Sequence, residues 1–469
     1  MAEWQMAMDV KGKRVLVVGL GKSGVASAQF LAARGARVTV SDTRSQNELK
    51  NQIPALLDRG IAVETGGHGE RTFRDQDLIV VSPGVPCDIP QLTRARAQGI
   101  RVIGEIELAT RFLRGKIVAI TGSNGKTTTT TLCGEIIASG SQRTLIGGNI
   151  GTPVILLVED STDDTVNVIE VSSFQLETIE TFHPSIGVVL NITPDHLDRH
   201  GSMETYTAAK ARIFENQTAS DYSVLNLDDS GSAGLETRTK AQICRFTRKR
   251  ELSGEQVGAF VREGEIYWRD FEREDKIMPV SEIPLKGAHN LENVLAAVSV
   301  GRLCGCDGTT IRDAVRNFKA VDHRLQYIAT VGGVEYYNDS KATNVDATIK
   351  AIESFPGNIH LILGGKDKDS DYAQMNDLLR ERVKRVYTIG AAAEKIRSHV
   401  QSAVEVLPCK TLDNAVEHAR DLAQPGDVVL LAPACSSFDQ FENYEHRGRT
   451  FRALVEQFAS PAAAGQERR

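Results

Sequence analysis

The chain has 469 residues, 41% hydrophobic and 25% charged, with a net charge of −6 and a pI near 6.0. That acidic balance excludes a broad nucleic-acid footprint or an anionic membrane surface as partner, and leaves room for local basic sites that hold a small phosphorylated ligand. Seven scattered cysteines, Cys87, Cys133, Cys244, Cys304, Cys306, Cys409 and Cys435, form no CxxC pair, so reduced thiols are expected and not a disulfide frame or a zinc site.

The start, "MAEWQMAMDVKGKRV", has no basic stretch followed by an apolar core, and no signal peptide is expected. No apolar run approaches the ~20 residues of a membrane span. A cytoplasmic chain of about three domains is expected, at about 100–200 residues each.

The first region alternates short apolar runs with helical stretches. Arg14–Val18 is apolar and β-branched, "GVASAQFLAARG" has helical spacing with Gly35 placed as a C-cap, and "ARVTVSD" and "DLIVVSPGV" are further strands. The turn "GLGKSG" places Gly19, Gly21 and Gly24 as a GxGxxG after a strand, and Asp42 ends the next strand, where dinucleotide folds hold a ribose hydroxyl. Two readings stand: a nucleotide loop, NAD included, or a tight βα turn without a ligand. "EIELATRFLRGK" closes this region.

A second α/β region follows, with strands in "KIVAITG", "TVNVIEVSS", "SIGVVLNIT" and "YSVLNLDD". "GSNGKTT" carries the Gly-Lys-Thr core of a phosphate-binding loop but departs from GxxxxGKT, because Ile120 stands where the first glycine belongs. Backbone N–H groups around Gly122–Lys126 can cradle phosphate, Lys126 can neutralise it, and the hydroxyl of Thr127 or Thr128 can ligate Mg²⁺. The threonine run makes poor helix without such a reason. Glu170 interrupts a buried apolar strand and needs a partner there, either a metal at the strand end or an ion pair. "NITPDHLDRHG" offers Asp195, His196, Asp198 and His200 on a loop, as Mg²⁺ ligands, a zinc site or a polar turn. In "SMETYTAAKARIFENQ", Met203, Tyr206, Lys210, Ile213 and Phe214 share one helix face, so Lys210 either snorkels its amine outward or is a desolvated, reactive neutral amine. "VGAFVREGEIYWRD" predicts a hairpin turning at Glu263-Gly264, inserted near the end of this domain, and "NLENVLAAVSVGRLCG" returns to helical period.

The third region, from about Val321, has strands in "VEYYNDS", "IHLILGGK", "RVYTIG" and "DVVLLAPA" separated by helices. The terminal "SPAAAGQERR" is expected to be a frayed tail.

Taken together, "GSNGKTT", "EVSSFQLE", "NITPDHLDRHG", "YTAAKARIF", "GAHNLENVLAA", "DHRLQ" and "NDSKATN" resemble a Mur ligase, in order and spacing, over nearly the whole chain. "GLGKSG", "NDSKATN" and "APACSSFDQFENYEHRG" resemble its D-glutamate-adding branch. The resemblance implies an α/β fold of three domains: an N-terminal Rossmann-like domain (1–104) for the UDP-sugar, a central P-loop ATPase-like domain (105–320), and a C-terminal Rossmann-like domain (321–469) that closes over the site. It implies ATP-dependent joining of D-glutamate to UDP-N-acetylmuramoyl-L-alanine through an acyl phosphate, in peptidoglycan precursor synthesis, by a monomer.

It also implies site residues. Gly21, Lys22, Ser23, Asp42, Thr43, Arg44 and Gly84 would surround the uridine diphosphate. Gly122, Ser123, Asn124, Gly125, Lys126, Thr127 and Thr128 would hold ATP phosphates, with Asn293, Arg324 and Asp339 as further ATP contacts. Thr127, Glu170 and His196 would ligate Mg²⁺, two ions in all, and Lys210, carbamylated by CO₂, would help hold the second. Asn149 would face substrate and metals. Lys341, Thr343, Lys368, Ser437 and Tyr444 would receive D-glutamate. Two departures stand out: Lys366 lies close to Lys368, with Asp369 in place of a small residue, and Tyr444 replaces the more familiar Phe.

Overall fold

This computed structural model describes residues 8–319 and 321–459; the tail Ser460–Arg469 lies outside the described residues. Strands β1 (Arg14–Val18), β2 (Arg37–Asp42), β3 (Ala62–Thr65), β4 (Leu78–Val81) and β5 (Arg101–Gly104) form a parallel sheet in the order β3-β2-β1-β4-β5. Along β1, Val15 and Val17 face one core and Leu16 and Val18 the other. Burial on both faces is why such strands are continuous apolar runs without alternation.

The central sheet joins β6 (Lys116–Thr121), β7 (Thr144–Gly148), β8 (Val166–Glu170), β9 (Ile186–Val189), β10 (Tyr222–Asn226), β11 (Gln242–Thr247), β12 (Val257–Arg262), β13 (Glu265–Arg269) and β14 (Glu274–Pro279). Their order is β14-β13-β12-β11-β10-β9-β6-β8-β7. The expected hairpin forms, β12 antiparallel to β13, with Glu263 (φ 50°) and Gly264 (φ 78°) at the turn. Two positive φ angles are what a tight hairpin turn of this hand requires. It is not an insertion, however. β12 pairs in parallel with β11, Cys244 opposite Val257, and β14 adds a further strand, so the hairpin continues the sheet.

The helix Glu105–Thr110 ties the first sheet to the second through two buried carboxylates. Glu105 accepts the Ile155 N–H at 2.9 Å. Glu107 accepts the N–H groups of Glu180, Thr181 and Phe182 and pairs with Arg111 at 2.7 Å. Glu107, which gathers several donors in this way, repays its desolvation.

The third sheet, β15 (Gln326–Val331), β16 (Val334–Asn338), β17 (Ile359–Gly364), β18 (Val383–Ile389), β19 (Glu405–Lys410) and β20 (Val428–Leu431), has the order β15-β16-β20-β17-β18-β19 and is parallel except for the edge strand β15. Leu361 and Leu363 face one core and Ile362 the other. Within the described residues the chain falls into two compact units. One takes in residues 8–192, Ser202–Pro279 and Asn293–Val315, and the other Thr193–Gly201, Val280–Glu292 and 316–459.

Candidate active site

In a parallel sheet ligands bind at the carboxyl ends of strands where the strand order reverses. In the first sheet that point lies between β1 and β4. The turn Gly19–Gly24 leaves β1 there and opens the helix Lys22–Ala33. Gly19 has φ +89°, and a Cβ on Gly24 would stand 1.8 Å from the Gly19 carbonyl oxygen, so both glycines are required by the backbone. Gly21 and Gly84 have open space where a Cβ would be. Ser82 Oγ donates to the Gly19 carbonyl at 2.8 Å and braces the turn.

Asp42 accepts the Leu20 N–H at 2.7 Å and grips the Arg44 guanidinium at 3.0 and 2.7 Å. Burial works against its charge, but the bonds from Arg44 and Leu20 hold its carboxyl down to about 2. Asp42 therefore fastens the glycine turn and aims Arg44 in the same stroke. Lys22 and Thr43 are exposed beside it, and Ser23 is half-buried at the helix start.

In the central sheet the reversal falls around β6. The loop Gly122–Gly125 follows it and opens the helix Lys126–Ser139. Gly125 has φ +85°, and a Cβ there would lie 2.2 Å from Asn293 Oδ1. The first-turn N–H groups of that helix have no intrahelical acceptor and suit phosphate. Lys126 Nζ donates to the Gly122 and Ser123 carbonyls, each at 2.9 Å. Two hydroxyls of the threonine run have work: Thr127 Oγ1 donates to Glu170 Oε2 at 2.7 Å and Thr129 Oγ1 to Asn293 Oδ1 at 3.3 Å, while Thr128 and Thr130 are buried.

Glu170 is 1% exposed at the end of β8, where register sets it beside Ile120 of β6 and Gly148 of β7. Asn149 Nδ2 donates to its other oxygen at 2.9 Å. Two of the partners that a buried carboxylate demanded are thus a hydroxyl and an amide. The predicted apolar face of the helix Met203–Ala211 and the turn after it is present: Tyr206, Lys210, Ile213 and Phe214 are all buried. Lys210 does not snorkel. It is 1% exposed, lies 4.6 Å from the Tyr206 ring centre, and donates to the Gly122 carbonyl at 2.9 Å. Lys126, Thr127, Asn149, Glu170, Lys210 and Asn293 therefore gather around one loop.

In the second unit the carboxyl ends of β16, β17 and β20 meet. Lys341 follows β16, with Nζ 3.7 Å from the Tyr444 ring centre. Tyr444 thus supplies a ring face to a cation, a role Phe fills equally well. Thr343 closes a tight turn onto the Lys341 carbonyl at 2.8 Å, and Ser437, 2% exposed, follows β20. Lys366 is exposed, its backbone bridged to Ser436, whereas Lys368 turns toward Asp195, Nζ to Oδ1 3.5 Å. Asn344 Nδ2 donates to the other Asp195 oxygen at 3.1 Å. Asp195, His196, Asn344, Asp346 and Lys368 line a cavity of about 460 Å³.

Arg324 and Asp339 are neighbours in this unit. Burial pushes the Asp339 carboxyl up to about 7, and the Arg324 charge opposes the rise. Burial, with the charges of Lys350 and Arg324, pushes nearby His289 down to about 4, so its ring is neutral at pH 7. Arg447 is fully buried. Its guanidinium donates to Ser340 Oγ (3.0 Å) and to the carbonyls of Ser340 (2.8 Å), Cys435 (3.1 Å), Ser436 (3.4 Å) and Gly364 (3.5 Å). One side chain thereby joins the three loops that carry Lys341, Lys368 and Ser437.

Residues 13–104 match the MurD-like N-terminal domain of Mur ligases, 120–301 the Mur ligase middle domain, and 323–435 the Mur ligase glutamate ligase domain. The chain belongs to the Mur ligase family. Two similar Mur ligases are the UDP-N-acetylmuramoylalanine--D-glutamate ligases of Koribacter versatilis (strain Ellin345), 63% identical over 96% of this chain and 99% of that one, and of Acidobacterium capsulatum, 62% identical over 96% and 97%. The Mur ligase fold is also seen against a pseudomurein peptide ligase type C from Methanothermus fervidus (TM-score 0.59, 20% identity, 95% of this chain and 99% of that one) and the UDP-N-acetylmuramate-alanine ligase MurC from Thermotoga maritima (TM-score 0.58, 18% identity, 95% and 99%).

Among the described residues no group of three His, Cys, Asp or Glu side chains could hold a metal by itself, so any ion at this Mur ligase site also draws on other oxygens. None of the seven cysteines is in a disulfide, and no described helix is long and apolar enough to cross a membrane. Sequence reasoning missed Asn191, which grips the central loop, and Arg447. Asn191 heads a quoted motif at the exit of a buried strand, which is a usable signal. Arg447 sits on an ordinary-looking amphipathic helix, and nothing local marks it.

Proposed function

We infer that the chain is an amide-bond-forming ligase that joins D-glutamate to UDP-N-acetylmuramoyl-L-alanine with consumption of ATP, in peptidoglycan precursor synthesis. Full-length identity of 63% to a ligase of that name carries the assignment. The gathering of Lys126, Thr127 and Glu170 at one loop supports the chemistry. Labour divides along the chain: 1–104 holds the UDP moiety through Gly21, Lys22, Ser23, Asp42, Thr43, Arg44 and Gly84, 105–320 holds ATP, and 321–469 receives D-glutamate. On this reading the enzyme works in the cytoplasm as a monomer.

A carboxylate does not acylate an amine in water, because its leaving group would be oxide. Phosphoryl transfer solves this. The L-alanine carboxylate attacks the γ-phosphorus of ATP, the bond to the ADP oxygen breaks, and an acyl phosphate forms. The D-glutamate amine then attacks the acyl carbon, the bond to phosphate breaks, and the amine loses a proton. Lys126 and the first-turn N–H groups hold the transferring phosphoryl, which is chiefly positioning and charge stabilisation.

Thr127 and Glu170 present adjacent hard oxygens beside the loop, which suits Mg²⁺ held by few protein ligands. Thr127 and Asn149 both hydrogen-bond Glu170 as neutral donors and do not themselves cancel its negative charge. Magnesium bound there would neutralise charge on the β- and γ-phosphates. Lys210 as a carbamate, with His196, would complete the ligands of two ions. Asn149 orients Glu170. Arg324, Asp339 and Asn293 contact the nucleotide. Lys341, Thr343, Lys368, Ser437 and Tyr444 bind D-glutamate, and the half-buried position of Lys368 against the exposure of Lys366 favours Lys368 for the side-chain carboxylate.

The test is phosphate release with ATP, UDP-N-acetylmuramoyl-L-alanine and each glutamate enantiomer. Release should depend on D-glutamate. Equal release with L-glutamate, or product formed with a non-cleavable ATP mimic, would refute the assignment.

A further inference from the structure

The central loop lacks the first glycine of the usual phosphate-binding turn, and a residue from another strand grips it. Asn191, 8% exposed, leaves β9, the strand next to β6. Its main-chain oxygen accepts the Ser123 N–H at 2.9 Å. Its Oδ1 accepts the Asn124 N–H at 2.8 Å, and its Nδ2 donates to the Asn124 carbonyl at 3.1 Å.

Two peptide planes are fixed by this grip, and each has a consequence on its far side. In a trans peptide the C=O and N–H point in opposite directions. Holding the Asn124 carbonyl therefore turns the Gly125 N–H away from Asn191. Holding the Asn124 N–H turns the Ser123 carbonyl away, and that carbonyl is one of the two that accept from Lys126 Nζ. The N–H groups of Ser123 and Asn124 are committed to Asn191. The phosphate-facing donors are then Gly125 and the first turn of the helix, a narrower set than the whole Gly122–Lys126 span.

We propose that Asn191 is a positioning residue for the nucleotide: its side-chain amide sets the two peptide planes that aim the Gly125 N–H and the Lys126 ammonium at the phosphates. The proposal rests on reading this loop as the ATP site. Asn191 touches no phosphate itself, so its loss acts through the loop.

The experiment measures magnesium–ADP affinity and UDP-N-acetylmuramoyl-L-alanine affinity by titration of the full chain, for Asn191→Ala, Asn191→Asp and Lys126→Ala, together with amide exchange of the 122–126 segment. Loss of the two side-chain hydrogen bonds should weaken ADP about tenfold, speed exchange at Asn124, and leave UDP-substrate affinity within about twofold of the parent. Asn191→Asp has nearly the shape of the native side chain and keeps the acceptor for the Asn124 N–H. It puts an oxygen against the Asn124 carbonyl, so it decides the matter if Asn191→Ala does not fold. Parent-like ADP affinity in a folded Asn191 variant, with Lys126→Ala impaired, overturns the proposal alone. Parent-like ADP affinity in Lys126→Ala overturns the reading of the loop. A parallel fall in both affinities marks a merely structural residue and overturns the proposal too.

Discussion

Lys126 and Lys210 donate to the same acceptor: each Nζ lies 2.9 Å from the Gly122 carbonyl oxygen. Two ammonium groups against one carbonyl repel, and Lys210 is the more deeply buried of the pair. Under the carbamate reading proposed above, the amine of Lys210 would capture CO₂ in its neutral form. Lys210→Ala is therefore expected to be inactive and partly restored by short carboxylic acids. Intact-mass measurement of the parent in bicarbonate should show one added CO₂. No rescue, together with an unmodified lysine, would end the carbamate reading.

Glu170→Gln removes the negative charge but keeps an acceptor for Thr127. Turnover should fall about a hundredfold or more, and half-saturation should move to higher Mg²⁺, if the carboxylate serves the ion. Phosphate release followed across a magnesium titration checks this. An unchanged magnesium dependence would assign Glu170 to holding Thr127 and Asn149 alone.

Lys126→Ala should abolish ATP-dependent turnover, because no other group on the helix start carries its charge to the phosphates. Undiminished phosphate release would count against the site.

Arg447→Met fills much of the volume but leaves several buried carbonyls without a donor. A loss of about 3 kcal/mol is expected in urea unfolding of the unit that contains it. The KM for D-glutamate should rise more than that for ATP, since the three loops it joins carry Lys341, Lys368 and Ser437. Arg447→Lys should not restore the parent, because one ammonium cannot span acceptors laid out for a planar fork. Parent-like unfolding in both variants would show that the loops hold their shape without it.

Burial pushes the Glu105 carboxyl up from 4.5 to about 7, against hydrogen bonds from the Ile155 and Val154 N–H groups. The folded chain then keeps a proton that the unfolded chain has lost. Its contribution is fully present below the unfolded value and disappears as pH rises through 7, a swing of about 3 kcal/mol. Melting temperatures at about pH 5 and about pH 8 should differ less for Glu105→Gln than for the parent. Equal differences in the two would place the carboxyl in contact with solvent.

The fold was largely legible because the inner strands of all three sheets are buried on both faces. "IHLILGG" and "RVLVV" announce themselves as apolar runs bounded by glycine. Edge strands were not legible. β15 and β19 are mostly half-exposed, and Pro408 interrupts β19, so no period survives to be read. Glu170 and Lys210 could be singled out because a charge in an apolar pattern is a local anomaly. Asn191 acts on Asn124, 67 positions away, and Arg447 reaches Gly364 and Ser340, 83 and 107 positions away, and spacing along one element carries no trace of such partners.

The two compact units are threaded through each other along the polypeptide, since Thr193–Gly201 and Val280–Glu292 belong with 316–459 although neighbouring stretches of chain do not. A single scission near residue 320 would therefore leave the second unit without the two short excursions encoded before the cut, although every stretch of the first lies on one side of it. Any attempt to transplant the C-terminal sheet between relatives would have to carry both short excursions with it. In that respect the molecule behaves as one heritable block, whose parts can be drawn apart on paper more readily than in a gene.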